Sequence, residues 1–272
     1  DEEGIVAEVI YPSAGMVICL HPDVAYRKAC FAAYNRWLAG FCSVDPKRLI
    51  GIGMAAIPSP EEGVRELREI ARLGFKGVML CGDPAFEDYD HPSYDPVWEA
   101  SIELGLPVNF HILTGKDSYG MAVRGPKGIQ QIVTVRGNQN IMMMMVLGGV
   151  FERHPALRVI MVENDAGWLP HFCFRMDHAW ERHRWSLEIG QIQRPPSEYV
   201  NENIYATFQD DWSVRHVVDA VNIERIMWAS DFPHGDGTYP RSREIALGVT
   251  DGMRPDQREA ILYGNAAALY GS

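Results

Sequence analysis

Seven short runs of almost uninterrupted apolar residues, separated by helix-length segments, limit the fold of this chain more than any other feature. They are IVAEVIYPS (5–13), LIGIGMAAI (49–57), GVMLCG (77–82), PVNFHI (107–112), VIMVEND (159–165), IYATF (204–208) and IMWASDF (226–232). A strand covered on one side alternates apolar with polar residues. A strand covered on both sides by helices has no such need, so these runs predict a parallel sheet. The intervening segments carry helix signals. Ser59 caps a helix with Pro60 at its first position and Glu62 three residues after the cap, and Asp95-Pro96 opens another. In AYRKACFAAYNRWLAGF (25–41) the spacing of Tyr26, Cys30, Tyr34, Trp37, Leu38 and Phe41 predicts one apolar helical face.

Repeated β-then-α units close into a barrel or open into a doubly wound sheet. No glycine-rich phosphate turn follows the first run, which removes the main support for a dinucleotide-binding open sheet. The chain has 272 residues, 47% of them hydrophobic, enough for one large core. The expectation is a single-domain (β/α)8 TIM barrel spanning 1–272. The chain opens on DEEGIVAEVIYPS with no initiator Met, so the first barrel strand is expected upstream of Asp1.

Charge and cysteine usage narrow the partners. A formal charge of −11 repels phosphate backbones and argues against nucleic acid. Cys19, Cys30, Cys42, Cys81 and Cys173 are scattered and never spaced as C-x-x-C, which fits a reducing cytoplasm. No apolar run approaches the ~20 residues of a membrane-spanning helix.

In such barrels function collects where strands end at the C-terminal rim. Here His111, Glu163 and Asp231 each close an apolar run. Taken singly, each reads as a satisfied core histidine or a turn-capping acid. Together they offer imidazole and carboxylate donors suited to a divalent ion, with zinc first and manganese or iron as the other candidates.

PVNFHI, ERHPALRVIMVENDAGWLP, WASDFPH and YGNAAALYG, in this order, resemble the amidohydrolase-related family, the metal-dependent barrels that include aminocarboxymuconate-semialdehyde decarboxylase and its relatives. The resemblance implies that His111 is the strand-five metal ligand and Asp231 the strand-eight carboxylate touching the metal and its water. A homodimer is the assembly implied by the same likeness. Two departures stand out. The family's first-strand His-x-His pair does not occur in this chain, and the strand-six histidine position is Glu163.

The chemistry expected of a complete site is hydrolysis of a carbonyl, ester or amide-like centre in a small substrate. A metal-bound water has its pKa lowered from about 15.7 towards 7, and Asp231 is placed to move its proton. Glu163 is expected to bind substrate or shuttle a proton. The alternatives are non-oxidative decarboxylation of a small carboxylic acid, or a metal-less, non-catalytic barrel. Asn164 is a candidate for substrate contact. His234 braces the loop or touches substrate, and Trp168 walls the pocket or anchors the next helix. A stretch of about 25 residues after 107–112 reads as a long loop whose basic residues, Arg124 among them with Lys116, Lys127 and Arg136, can attract an anionic substrate. His154 precedes its strand and reads as structural. His171, His178 and His183 read as surface residues, and IMMMMV (141–146) as a core-filling helical stretch.

Overall fold

The computed structural model describes residues 2–117, 124–186, 188, 189 and 191–271. All seven apolar runs form strands. β1 (Glu8–Ile10) pairs with β2 (Leu49–Gly51), and β3 (Gly53–Met54), β4 (Val78–Leu80), β5 (Val108–His111), β6 (Val159–Val162), β7 (Ile204–Phe208) and β8 (Ile226–Trp228) follow side by side, every pairing parallel. The second run supplies both β2 and β3, which face different neighbours, so one stretch of chain joins the two ladders. Among the described residues no backbone ladder links β8 to β1. Side chains link the two regions instead, with Ser13 Oγ 3.1 Å from His234 Nε2 and Ser242 N donating to the Glu3 carboxylate 2.5 Å away.

Alternation along the strands produces two apolar layers. Ile50, Ile52, Met54, Met79, Cys81, Ile160, Val162, Tyr205 and Met227 pack inside the barrel. Val78, Leu80, Val108, Phe110, Val159, Met161, Ile204, Ala206 and Phe208 pack outward against the helices. This is the (β/α) barrel of the TIM class, and it explains why the strands read as continuously apolar. Leu269 and Tyr270 from the last helix join the inner layer, where the hydroxyls of Tyr11 and Tyr270 both donate to Asn109 Oδ1, at 2.8 and 3.2 Å.

Several buried asparagines complete backbone hydrogen bonds that the ladders leave open. Along β3, Gly53 N and Ala55 N donate to Gly77 O and Met79 O, so the peptide groups of Met54 point the other way. Asn35 takes both: its Nδ2 donates to Met54 O (2.9 Å), and Met54 N donates to its Oδ1 (2.8 Å). Asn203 and Asn265 each donate to two backbone carbonyls in the same manner.

Three local expectations are revised. Helix Val24–Cys42 buries Arg27, Phe31, Asn35, Leu38 and Cys42, whereas Tyr26, Trp37 and Phe41 are exposed. The helix is apolar on both sides, and the side carrying the Asn35 clamp faces the barrel. The stretch read as a long loop contains helices Ile129–Val133 and Arg136–Leu147, so Arg136 opens a helix. The second of these buries Ile141, Met142, Met145 and Val146, the core-filling role expected of them. Asp95 starts helix Asp95–Glu103 without capping it, because its carboxylate serves Arg153 Nε (3.0 Å) and His154 Nε2 (2.9 Å). Ser59 caps its helix as expected, accepting from Glu62 N. No described helix is long and apolar enough to cross a membrane.

Replacing Asn35 by Ala leaves a buried N–H and a buried C=O unpaired at Met54. Each such group costs about 1–3 kcal/mol, so urea unfolding is expected to show about 2–4 kcal/mol lost relative to the parent chain.

Candidate active site

The strand ends at the C-terminal rim bring four chemistry-bearing side chains together. His111 is the last residue of β5. Its inner neighbour Asn109 and outer neighbours Val108 and Phe110 set the alternation that turns the imidazole inward. Glu163 follows β6 immediately, and Asp231 lies three residues beyond the end of β8. Both carboxylate residues have left-handed backbone, with φ of 55° and 54°. Such a conformation is unfavourable for side chains other than glycine and recurs where function demands a particular aim. Here it turns each chain end so that the carboxylate faces the mouth.

The contacts are close. His111 Nε2 lies 3.1 Å from Glu163 Oε2, and its Nδ1 lies 3.0 Å from Ile112 O. His234 Nδ1 lies 2.7 Å from Asp231 Oδ1. One ligand-type atom from each of Glu163, Asp231 and His234 lies within 4.8 Å of the others. Glu163 is fixed from below by its backbone N, which donates to Thr207 Oγ1 at 2.8 Å. Burial first, and then the neighbouring Glu163, push the Asp231 carboxyl above the ordinary carboxylate range, against the opposing pull of His234 and His111. Asp165, also left-handed, is pushed up to about 6 by burial and by Asp211, Asp210, Asp236 and Glu163.

These residues fit a divalent cation. Asp231 Oδ2 is buried and has no hydrogen-bond partner. With Nδ1 donating to Ile112 O, the Nε2 of a neutral His111 is an acceptor aimed at another acceptor, so a positive charge or a proton belongs between that nitrogen and Glu163.

The structure places the other sequence candidates as follows. Asn164 is wholly buried, and neither Nδ2 nor Oδ1 of its side chain has a partner. Trp168, expected to wall the pocket or anchor the next helix, packs against the outer apolar layer, and its Nε1 donates to Asn164 O (2.7 Å) and Asp165 O (3.1 Å). Arg124 is exposed and follows residues 118–123, which are outside the described residues. His154 sits before β6 against Asp95, and His171 and His183 are exposed. Three contributors escaped the sequence reading: Tyr11, whose ring lies 5.7 Å from that of His111, Ser13 beside His234, and Thr207. Each lies at or near the end of an apolar run, the one signal that could have marked them.

The sequence profile of the amidohydrolase family matches residues 16–272. The chain is 24% identical over 255 residues to "Decarboxylase orsB" of Emericella nidulans, with 89% of this chain and 76% of the relative covered. It is 26% identical over 248 residues to the 2-amino-3-carboxymuconate-6-semialdehyde decarboxylase of Dictyostelium discoideum, with 87% and 65% covered, so it spans under two thirds of that relative's length. The solved structure of a dihydroxybenzoic acid decarboxylase from a Polaromonas species, with manganese and 2-nitroresorcinol bound, superposes with a TM-score of 0.79 at 22% identity, with 100% of this chain and 83% of the other covered.

Calorimetric titration with Mn²⁺ is expected to show binding that His111→Ala and Asp231→Asn each weaken at least about 100-fold. His154→Ala, which alters only the Asp95 contact before β6, is expected to leave it unchanged.

Proposed function

The chain belongs to the amidohydrolase family, and on that premise we propose that its activity is the metal-dependent, non-oxidative decarboxylation of a small aromatic or enolic carboxylic acid. The observation that carries this reading is the cluster of Glu163, Asp231 and His234 with His111 against Glu163, in which the buried Asp231 Oδ2 lacks a partner. Decarboxylation is placed ahead of hydrolysis because both curated relatives are named decarboxylases and the solved dihydroxybenzoic acid enzyme is another. Manganese is placed ahead of zinc, since manganese is the ion named with that structure.

His111 Nε2 and Asp231 Oδ2 are the atoms assigned to the ion, with Glu163 and His234 at its side. When bound, the ion supplies positive charge that anchors an anionic substrate and steadies the negative charge left as a carbon–carbon bond breaks. The rest falls to the protein. Loss of CO2 leaves an electron pair on carbon that must take up one proton: a carboxylate plus a proton becomes a C–H product plus CO2. Glu163 Oε2, facing His111 Nε2 at 3.1 Å, is the group assigned to hold and deliver that proton. His234, hydrogen-bonded to Asp231 Oδ1, orients Asp231 so that Oδ2 stays turned inward. Thr207 holds the Glu163 backbone in its left-handed turn.

The test is a panel of hydroxybenzoates and related enolic acids with Mn²⁺-loaded protein, followed by CO2 release and, in D2O, by deuterium at the vacated carbon. Glu163→Gln is expected to lower kcat by about 100-fold or more while leaving KM within a few-fold. Incorporation of ¹⁸O from labelled water into product without CO2 release would overturn decarboxylation in favour of hydrolysis.

A further inference from the structure

Helix Val24–Cys42 buries an arginine whose charge no carboxylate answers. Arg27 is 5% exposed, its Nη1 donates to Cys19 O at 3.1 Å, and its Nε is buried without a partner. Among the described residues no acidic side chain forms an ion pair with it. An unpaired buried charge is costly, so the groups around this guanidinium decide what it is for. Two thiols surround it. Cys19 ends helix Ser13–Cys19, and Cys81 directly follows β4 at the mouth end of the inner apolar layer to which both belong. The two thiols are hydrogen-bonded to each other, and Arg27 donates to the Cys81 sulfur as well.

We propose that Cys81 and Cys19 are a redox pair, in which Cys81 attacks a peroxide, Cys19 closes the disulfide, and Arg27 stabilises negative charge on the reacting sulfur. The asymmetry between the two thiols assigns the roles. The hydrogen bond from Cys19, and after it Arg27, holds the Cys81 thiol below its ordinary range against the opposing effects of burial and Glu66. The same hydrogen bond, and then burial, push Cys19 up. Cys19 is therefore the donor and Cys81 the sulfur that carries the charge, which is the form that attacks. Glu66 does not compete for Arg27, because its Oε2 accepts from Ala56 N and Ile57 N.

The chemistry closes on itself. The Cys81 thiolate takes one oxygen of the peroxide, the O–O bond breaks, and hydroxide leaves with the proton that Cys81 had released. Cys19 sulfur then attacks Cys81 sulfur, the S–O bond breaks, and the hydroxyl departs as water with the Cys19 proton. Two thiols lose two electrons and two protons, and one hydrogen peroxide becomes two waters. The new bond fastens β4 to the helix whose first residue, Ser13, touches His234. Exposure alone predicts a different order of reaction. Cys30 and Cys173 are both more exposed than Cys19 and Cys81, which are 1 and 3% exposed. Burial and then Asp177 push Cys173 up to about 11, and burial pushes Cys42 up too.

The test is peptide mapping by mass spectrometry after the reduced, folded chain is treated with a few equivalents of hydrogen peroxide. A Cys19–Cys81 disulfide, cleaved by dithiothreitol, is expected before Cys30, Cys42 or Cys173 gains mass. Cys19→Ser is expected to leave a sulfenic acid on Cys81 that dimedone traps, and Cys81→Ser to leave Cys19 unmodified. Arg27→Gln is expected to slow iodoacetamide labelling of Cys81 in Cys19→Ser by about tenfold or more near neutral pH and to move its pH profile upward, with Arg27→Lys restoring most of the rate. A core merely loosened by losing Arg27 gives faster labelling instead. Oxidation that begins at Cys30 or Cys173 with Cys19 and Cys81 intact overturns the proposal. So does a Cys81→Ser chain whose Cys19 still oxidises at the parent rate, or Arg27→Gln labelled as fast as its parent. These readouts use neither Mn²⁺ nor CO2 release, so their outcome is independent of the decarboxylase reading.

Discussion

The mouth of this barrel depends on two acidic side chains and an imidazole held close together. Glu163 and Asp231 approach each other in a half-buried setting, and His111 sits against Glu163 with its other nitrogen committed to a backbone carbonyl. Burial raises the cost of ionising Asp231, and the adjacent carboxylate raises it again. A proton or a cation among these groups relieves that cost. Both readings of the site, as a cation's seat and as a proton store, follow from that one electrostatic fact, and decarboxylation uses each of them.

Holding the carboxylates there requires backbone that the residues do not prefer. Glu163, Asp165 and Asp231 all adopt left-handed conformations, and so do Ile57 and Leu113 beyond β3 and β5. The surroundings over-determine these turns. Thr207 accepts from the Glu163 amide, Trp168 ties down the carbonyls of Asn164 and Asp165, and His234 spans from Asp231 to Ser13. The last contact crosses the place where β8 and β1 share no ladder, so the same residues that orient Asp231 also bring the first and last described strands together at the rim.

On the far side of β1 to β3, helix Val24–Cys42 carries apolar residues on both faces. One supplies Asn35 and Phe31 to the barrel. The other turns Tyr26, Trp37 and Phe41 to solvent. Periodicity alone reported that the helix was apolar without saying which side met the core, because apolar residues recur at helical spacing on both sides.

The strands, their parallel order and the three strand-end residues His111, Glu163 and Asp231 were legible in the sequence, since a doubly covered strand must be apolar throughout and a polar residue at its end breaks that run visibly. The family likeness was legible too, in motifs spread along the whole chain. Tyr11, Ser13 and Thr207 were not, for hydroxyl residues near strand ends are common and only the closing of the sheet places them beside particular partners. Nor did spacing disclose that Asp95 serves Arg153 and His154 in place of capping a helix, or that Trp168 braces a turn on the outer layer. Local physics, one residue against its chain neighbours, determined the elements and the chemistry available at their ends. Which of those ends meet, at what distance, and which side of a two-faced helix turns inward were decided only in three dimensions, because those contacts join residues dozens to hundreds of positions apart and carry no period along the chain.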